Sequence, residues 1–183
     1  TVMRYPVKVP LMRLWFIPFL ALFIGCRPES SFPPPPPMQL LPLFGTITVT
    51  PDQSAGHAQR FSVRLDRAPG KPEPTYLGLL INARDNGADA CYLFANLETG
   101  RPRLVNDSGS GAQELTGPGR IANQQCQLQA AASVIERRDT TIEAHFNLEF
   151  KSSFAGPKKL YVIAENLSGK STGIQLAGDF LVQ

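Results

Sequence analysis

The sequence predicts an all-β fold, an antiparallel β-sandwich that follows a signal peptide and a proline-rich tether. Three observations carry this. From Gly45 onward apolar residues recur with period two, the spacing of a half-buried strand. Seventeen Pro and fifteen Gly in 183 residues cut the chain into short segments, which suits strands better than long helices. Clusters of Asp, Asn, Ser and Gly fall between those segments, where hairpins need turns. An apolar fraction of 43% with 18% charged residues belongs to a folded domain rather than a disordered chain, and the length suits one domain.

Residues 1–25 read as the signal peptide. Arg4, Lys8 and Arg13 precede the uncharged run "LWFIPFLALFI", Leu14 to Ile24. Eleven residues are too few for a spanning helix, which needs about 20, but they match the apolar centre of an export signal. The ending "FIGC" resembles the lipobox of bacterial lipoproteins, in which a cysteine after a small residue is acylated and becomes the new N-terminus. Phe23 stands where that pattern prefers Leu. The resemblance implies lipidation at Cys26, and hence attachment to a membrane. Arg27 replaces the Asp that marks inner-membrane retention, so an outer-membrane lipoprotein is expected, with plain secretion as the alternative.

Residues 26–44 form the expected tether. Pro33 to Pro37 are five consecutive prolines, a polyproline II spacer of roughly 15 Å at about 3.1 Å per residue.

Residues 45–183 are the expected sandwich domain. "GTITVT" (45–50) and "RFSVRLD" (60–66) open it, followed by "TYLGLLIN" (75–82), "ACYLFAN" (90–96) and "PRLVN" (102–106). "TTIEAHFNLEF" (140–150) is the clearest case: Ile142, Ala144, Phe146, Leu148 and Phe150 face one way, and Glu143, His145, Asn147 and Glu149 the other. "KLYVIAEN" (159–166) and "IQLAGDFLV" (174–182) complete the set. "QLQAAASVIERR" (127–138) lacks a repeating apolar stripe and reads as strand and loop. "DNG" (85–87), "NDSGSG", "GPG", "AGPKK" and "LSGKSTG" supply the turns. Eight or so short strands at this spacing suggest an immunoglobulin-like sandwich, with a small closed barrel as the alternative.

With Cys26 assigned to lipid, Cys91 and Cys126 remain as an even pair in an exported chain, either a disulfide or two buried thiols. A bridge would close a loop worth about 3–4 kcal/mol in the chain-entropy account.

Several segments resemble a domain recurrent in secreted proteins of soil bacteria, especially Acidobacteria. They are "LLINARDNGADACYLF" (79–94), "RLVNDSG" (103–109), "NQQCQL" (123–128) and "FAGPKKLYVIAENLSGKSTG" (154–173). The resemblance implies a β-sandwich module without a known activity. It matches Cys91 and Cys126 to a cysteine pair, and Asn106 and Asp107 to a polar loop. Where that domain often carries Trp near its last strand, this chain has Ile174 and Phe180.

Charge excludes one class of partner. Of 18 basic residues, three lie in the signal segment, and the other 15 face 15 acidic residues. A neutral domain has no excess charge to neutralise phosphates, so no nucleic-acid partner is expected. No metal-protease, phosphate-loop or nucleophile-elbow motif is present. His57 and His145 read as solvated surface histidines. Two loops concentrate oxygen atoms, Asp85, Asn86 and Asp89 in one and Asn106, Asp107 and Ser108 in the other. The second is a candidate ligand loop; calcium is an alternative to plain turn chemistry. Neither a metal nor another cofactor is expected. The leading expectation is a non-enzymatic binding or scaffolding module with a glycan or protein ligand. A carbohydrate-binding module, with Tyr76, Tyr92, Phe94 and Tyr161 as an aromatic platform, is the first alternative. A hydrolase with a scattered site is the second.

Overall fold

The computed structural model describes residues 43–129 and 135–183. The expected signal peptide, Cys26 and the polyproline run lie outside the described residues, as does the middle of the 127–138 segment. Strands run β1 (Gly45–Thr50), β2 (Gln53–Gly56), β3 (Ala58–Arg67), β4 (Tyr76–Asn82), β5 (Cys91–Asn96), β6 (Pro102–Val105) and β7 (Ala112–Glu114). They continue with β8 (Arg120–Ala122), β9 (Cys126–Gln129), β10 (Ile135–Arg138), β11 (Thr141–Phe150), β12 (Gly156–Glu165) and β13 (Gln175–Val182). All eight expected strands are present, most within a residue or two of the expected bounds.

The strands form two sheets. A six-stranded sheet has the order β1-β3-β11-β9-β8, with β10 also paired to β11; a seven-stranded sheet has the order β2-β13-β12-β4-β5-β6-β7. Every pairing is antiparallel except β2 with β13, which is parallel. That pairing departs from the expected wholly antiparallel arrangement. β2 is short and follows β1 by a tight bend, so it crosses to the other sheet and pairs along the edge of β13.

The register explains the alternation in the sequence. Val63 stands between Val49 and Ala144, and Leu65 between Ile47 and Ile142. All of these are buried and share one core with Leu77, Leu79, Ile81, Leu93, Leu160, Val162 and Phe180 of the seven-stranded sheet. Two inner faces packed on one apolar core define a β-sandwich. Phe180 ties the layers at one place, its ring centroid 5.3 Å from Phe61 and 5.1 Å from Phe150. Cys91 on β5 and Cys126 on β9 tie them at another, through a disulfide.

Three expectations change at residue level. Phe44, assigned to the tether, is fully buried in the core, with Leu43 packed against it, because the apolar pair caps the open end of β1. "AGPKK" is no turn: β12 begins at Gly156, and the reversal comes earlier, in a short 3-10 turn at Ser152–Phe154. His145 points to the outer face of the six-stranded sheet, as alternation requires, yet it is buried rather than solvated. Its Nδ1 lies 2.6 Å from Ser62 Oγ on the neighbouring strand, and its Nε2 lies 3.7 Å from Glu136 of β10.

Candidate functional site

β4 explains where a site can form. "YLGLLIN" has apolar residues at both parities, and residues 77–81 are all buried. Leu77, Leu79 and Ile81 enter the core, which leaves Tyr76, Gly78 and Leu80 on the outer face. In register with them, neighbouring strands place Tyr161, Leu80 and Tyr92 in one row, and Ile163, Gly78, Phe94 and Arg103 in a second. A third row is Glu165, Tyr76 and Asn96. The outer face of the seven-stranded sheet is thus largely aromatic and apolar over three strands, with Arg103 on the fourth.

Gly78 makes room for this surface. A Cβ there would lie 2.6 Å from Ile163 Cγ2 and 2.9 Å from two carbons of the Phe94 ring. The ring therefore lies across the bare backbone of Gly78, an aromatic covering a strand glycine. Tyr92 is tilted against Phe94 with centroids 4.6 Å apart, and Tyr76 meets it edge-on at 6.1 Å.

Beside these rings lies an open groove of about 370 Å³, within the range of small-ligand sites, roughly 300–1,000 Å³. Tyr76, Tyr92 and Phe94 line its floor, Arg103 and Glu165 add charge, and the 109–112 loop forms a wall. The Arg103 guanidinium carbon stands 5.9 Å from the Tyr76 ring centroid. Its Nε is shielded from solvent without a hydrogen-bond partner among the described residues. Neither tyrosine hydroxyl has a hydrogen-bond partner among the described residues. Burial, with the charge of Glu165 second, pushes the Tyr92 phenol up to about 12.

The wall comes from the two oxygen-rich loops, which pack on each other. Asp89 N donates to Asp107 O at 2.9 Å. Gly109 has φ +75°, and a Cβ there would lie 3.0–3.1 Å from the backbone of Gly87 and Ala88, so the contact requires glycine. The candidate ligand oxygens of this loop are turned inward. Asn106 Oδ1 accepts from Ser108 Oγ and from the Ser110 and Gly111 amides, and Asp107 Oδ1 accepts from the Gln124 amide. Asn106, Asp107 and Ser108 shape the loop, while Gly109 to Ala112 present it to the groove. Among the described residues no group of three or more His, Cys, Asp or Glu side chains is placed to hold a metal ion.

Arg103, Glu165 and the loop wall do not stand out in the sequence. The signal for the first two is alternation: Arg103 precedes inward Leu104 and Glu165 follows inward Ala164, so each faces outward beside the aromatics. Asn123 is equally inconspicuous. Its Nδ2 donates to Ala90 O and Val105 O, while its Oδ1 accepts from the Gln125 and Cys126 amides. It thereby joins three segments around the disulfide. Tyr161 shares the aromatic face but stands a strand away from the groove floor.

The other clusters are less suited to chemistry. Ser62, His145 and Glu136 form a Ser–His–Glu series, but the void beside His145 has no room for a water molecule. Glu143 and Glu149 are six residues apart on one strand, roughly 20 Å, well beyond the separation of a glycosidase pair.

No protein-family model, curated protein or solved structure matched the chain.

Proposed function

We propose that the chain is an exported, lipid-anchored binding module without catalytic activity, and that it takes a saccharide in the aromatic groove of its seven-stranded sheet. One observation carries the reading. Tyr76, Tyr92 and Phe94, far apart in sequence or alternating on a strand, form one half-exposed surface open to solvent. A pyranose presents an apolar face of C–H groups that packs on aromatic rings, and its hydroxyls require donors and acceptors at the margin. The groove provides both, through its rings and through Arg103, Glu165 and two phenol hydroxyls without partners among the described residues. The lipid anchor is supported by the "FIGC" pattern and by the disulfide, which leaves Cys26 as the one cysteine outside the domain's pair.

A glycan array probed with the full chain, purified in detergent, tests the ligand class. Wild type is expected to bind, and Phe94→Ala and Tyr76→Ala to lose the signal while retaining a cooperative melt. Binding unchanged in both variants would reject the groove. Labelled palmitate should enter the wild type and not Cys26→Ser; incorporation by both would reject the anchor.

For the alternative of a hydrolase with a scattered site, the cluster to test is Ser62 and His145, although the void beside His145 does not admit water. If it holds, the chain cleaves an ester or glycan panel and Ser62→Ala abolishes the cleavage. The proposed reading expects no turnover by either protein.

A further inference from the structure

The aromatic groove carries a charge pattern of its own. Two arginines are half-buried among the described residues, Arg67 and Arg103. Arg67 pairs with Glu73 at 3.3 Å. Arg64, Arg101, Arg137 and Arg138 also pair with carboxylates. Arg103 has no carboxylate partner among the described residues, although it is more shielded than most of those that do.

Leaving a donor shielded and unmatched is unfavourable, and more so for a charged group. The Arg103 side chain lies beside the Tyr76 ring and lines the groove, with its Nε unsatisfied. An arginine held by an aromatic neighbour is pre-organised, and its planar fork matches a carboxylate by two parallel hydrogen bonds. The carboxylate directly opposite it, Glu114 of β7, is engaged by Arg101 at 3.2 Å, and the acid that lines the groove is out of register. Glu165 stands opposite Tyr76 on β12, while Arg103 is on β6, three strand spacings away, roughly 14 Å between backbones. The groove is therefore a donor at one side and an acceptor at the other, with aromatic floor between them.

Building on the saccharide reading of this groove, on which the step depends, we propose that the ligand is an acidic saccharide, a uronate-containing oligosaccharide. Arg103 holds the sugar carboxylate, the Tyr76 and Phe94 rings carry the apolar ring face, and Glu165 accepts hydroxyl hydrogens of the neighbouring sugar. A neutral saccharide would leave the guanidinium without an anion. A ligand with anionic groups throughout would set one against Glu165, so sparse rather than dense charge fits best.

The test uses uronate oligosaccharides of the galacturonate, mannuronate and glucuronate series, each beside its methyl ester, which removes the charge and keeps the ring. Titration calorimetry is run with the full chain in detergent. At least one acid is expected to bind about tenfold or more tighter than its ester, a difference of about 1.4 kcal/mol, with affinity falling as salt rises. Arg103→Met should bring the acid down to the affinity of the ester, and Arg103→Lys should keep part of the difference. Unaltered melting of Arg103→Lys would show that its loss of affinity is not a loss of fold. Equal binding of acid and ester by wild type, or an unchanged ratio in Arg103→Met, would overturn the acidic ligand while leaving a saccharide site intact. Absence of binding to every acid, ester and neutral glycan would overturn the saccharide site itself, and the acidic ligand with it.

Discussion

Phe94 resting on Gly78 is the contact on which the groove floor depends. A strand glycine would ordinarily be improved by a β-branched residue, by up to about 1 kcal/mol. Here the added atoms would meet Ile163 and the Phe94 ring at well under contact distance, and overpacking of that kind costs about 1–3 kcal/mol. Gly78→Val is therefore expected to lower stability in urea titration and to displace Phe94, weakening ligand binding. A stabilised variant with unchanged binding would contradict that packing. Tyr92 makes a second prediction. Its phenol is raised from 10 to about 12, chiefly by burial. The folded state thus favours the neutral form, and this contribution is complete below pH 10 and lost as pH rises towards 12. Wild-type stability should fall more steeply over that window than that of Tyr92→Phe; parallel profiles would show that the phenol titrates freely. Neither contact is visible in the sequence, where strand aromatics look like core. Alternation assigns Tyr76, Tyr92 and Phe94 to one face, but whether that face is covered depends on the other sheet.

Elements are legible in proportion to the apolar surface they bury. β1, β3 and β11 alternate over their full length, and their sequence bounds lie close to the observed ones. β2, β7 and β8 escape a sequence reading, since "QSAG", "AQE" and "RIA" are short edge segments with little buried apolar surface. The parallel pairing of β2 is a tertiary choice with no local pattern. "AGPKK" misleads for a different reason: Gly and Pro at the start of a strand resemble a turn when the pairing partner is unknown. The disulfide is legible by cysteine arithmetic, and the fold gives it a mechanical role, joining β5 of one sheet to β9 of the other. Replacing Cys91 and Cys126 together by Ser should lower stability by about 3–4 kcal/mol in the chain-entropy account. Equal denaturation midpoints for parent and variant would show that the sheets hold together without it.

At the scale of the whole domain, a shared core separates two unlike outer faces. The six-stranded sheet turns polar residues outward, among them the Ser62 and His145 pair, while the seven-stranded sheet turns out aromatics and Arg103, which has no carboxylate partner among the described residues. That composition on a half-exposed sheet face supports the proposed binding surface. The tether expected from the five prolines would hold that surface away from a bilayer. Backbone amide NMR during titration of the full chain with a uronate oligosaccharide would locate the ligand on the molecule residue by residue. Shifts are expected to concentrate at Gly78, Phe94, Arg103 and the 109–112 loop, with the six-stranded sheet unmoved. Shifts confined to the six-stranded sheet, or none at millimolar saccharide, would rule out the groove as the binding site.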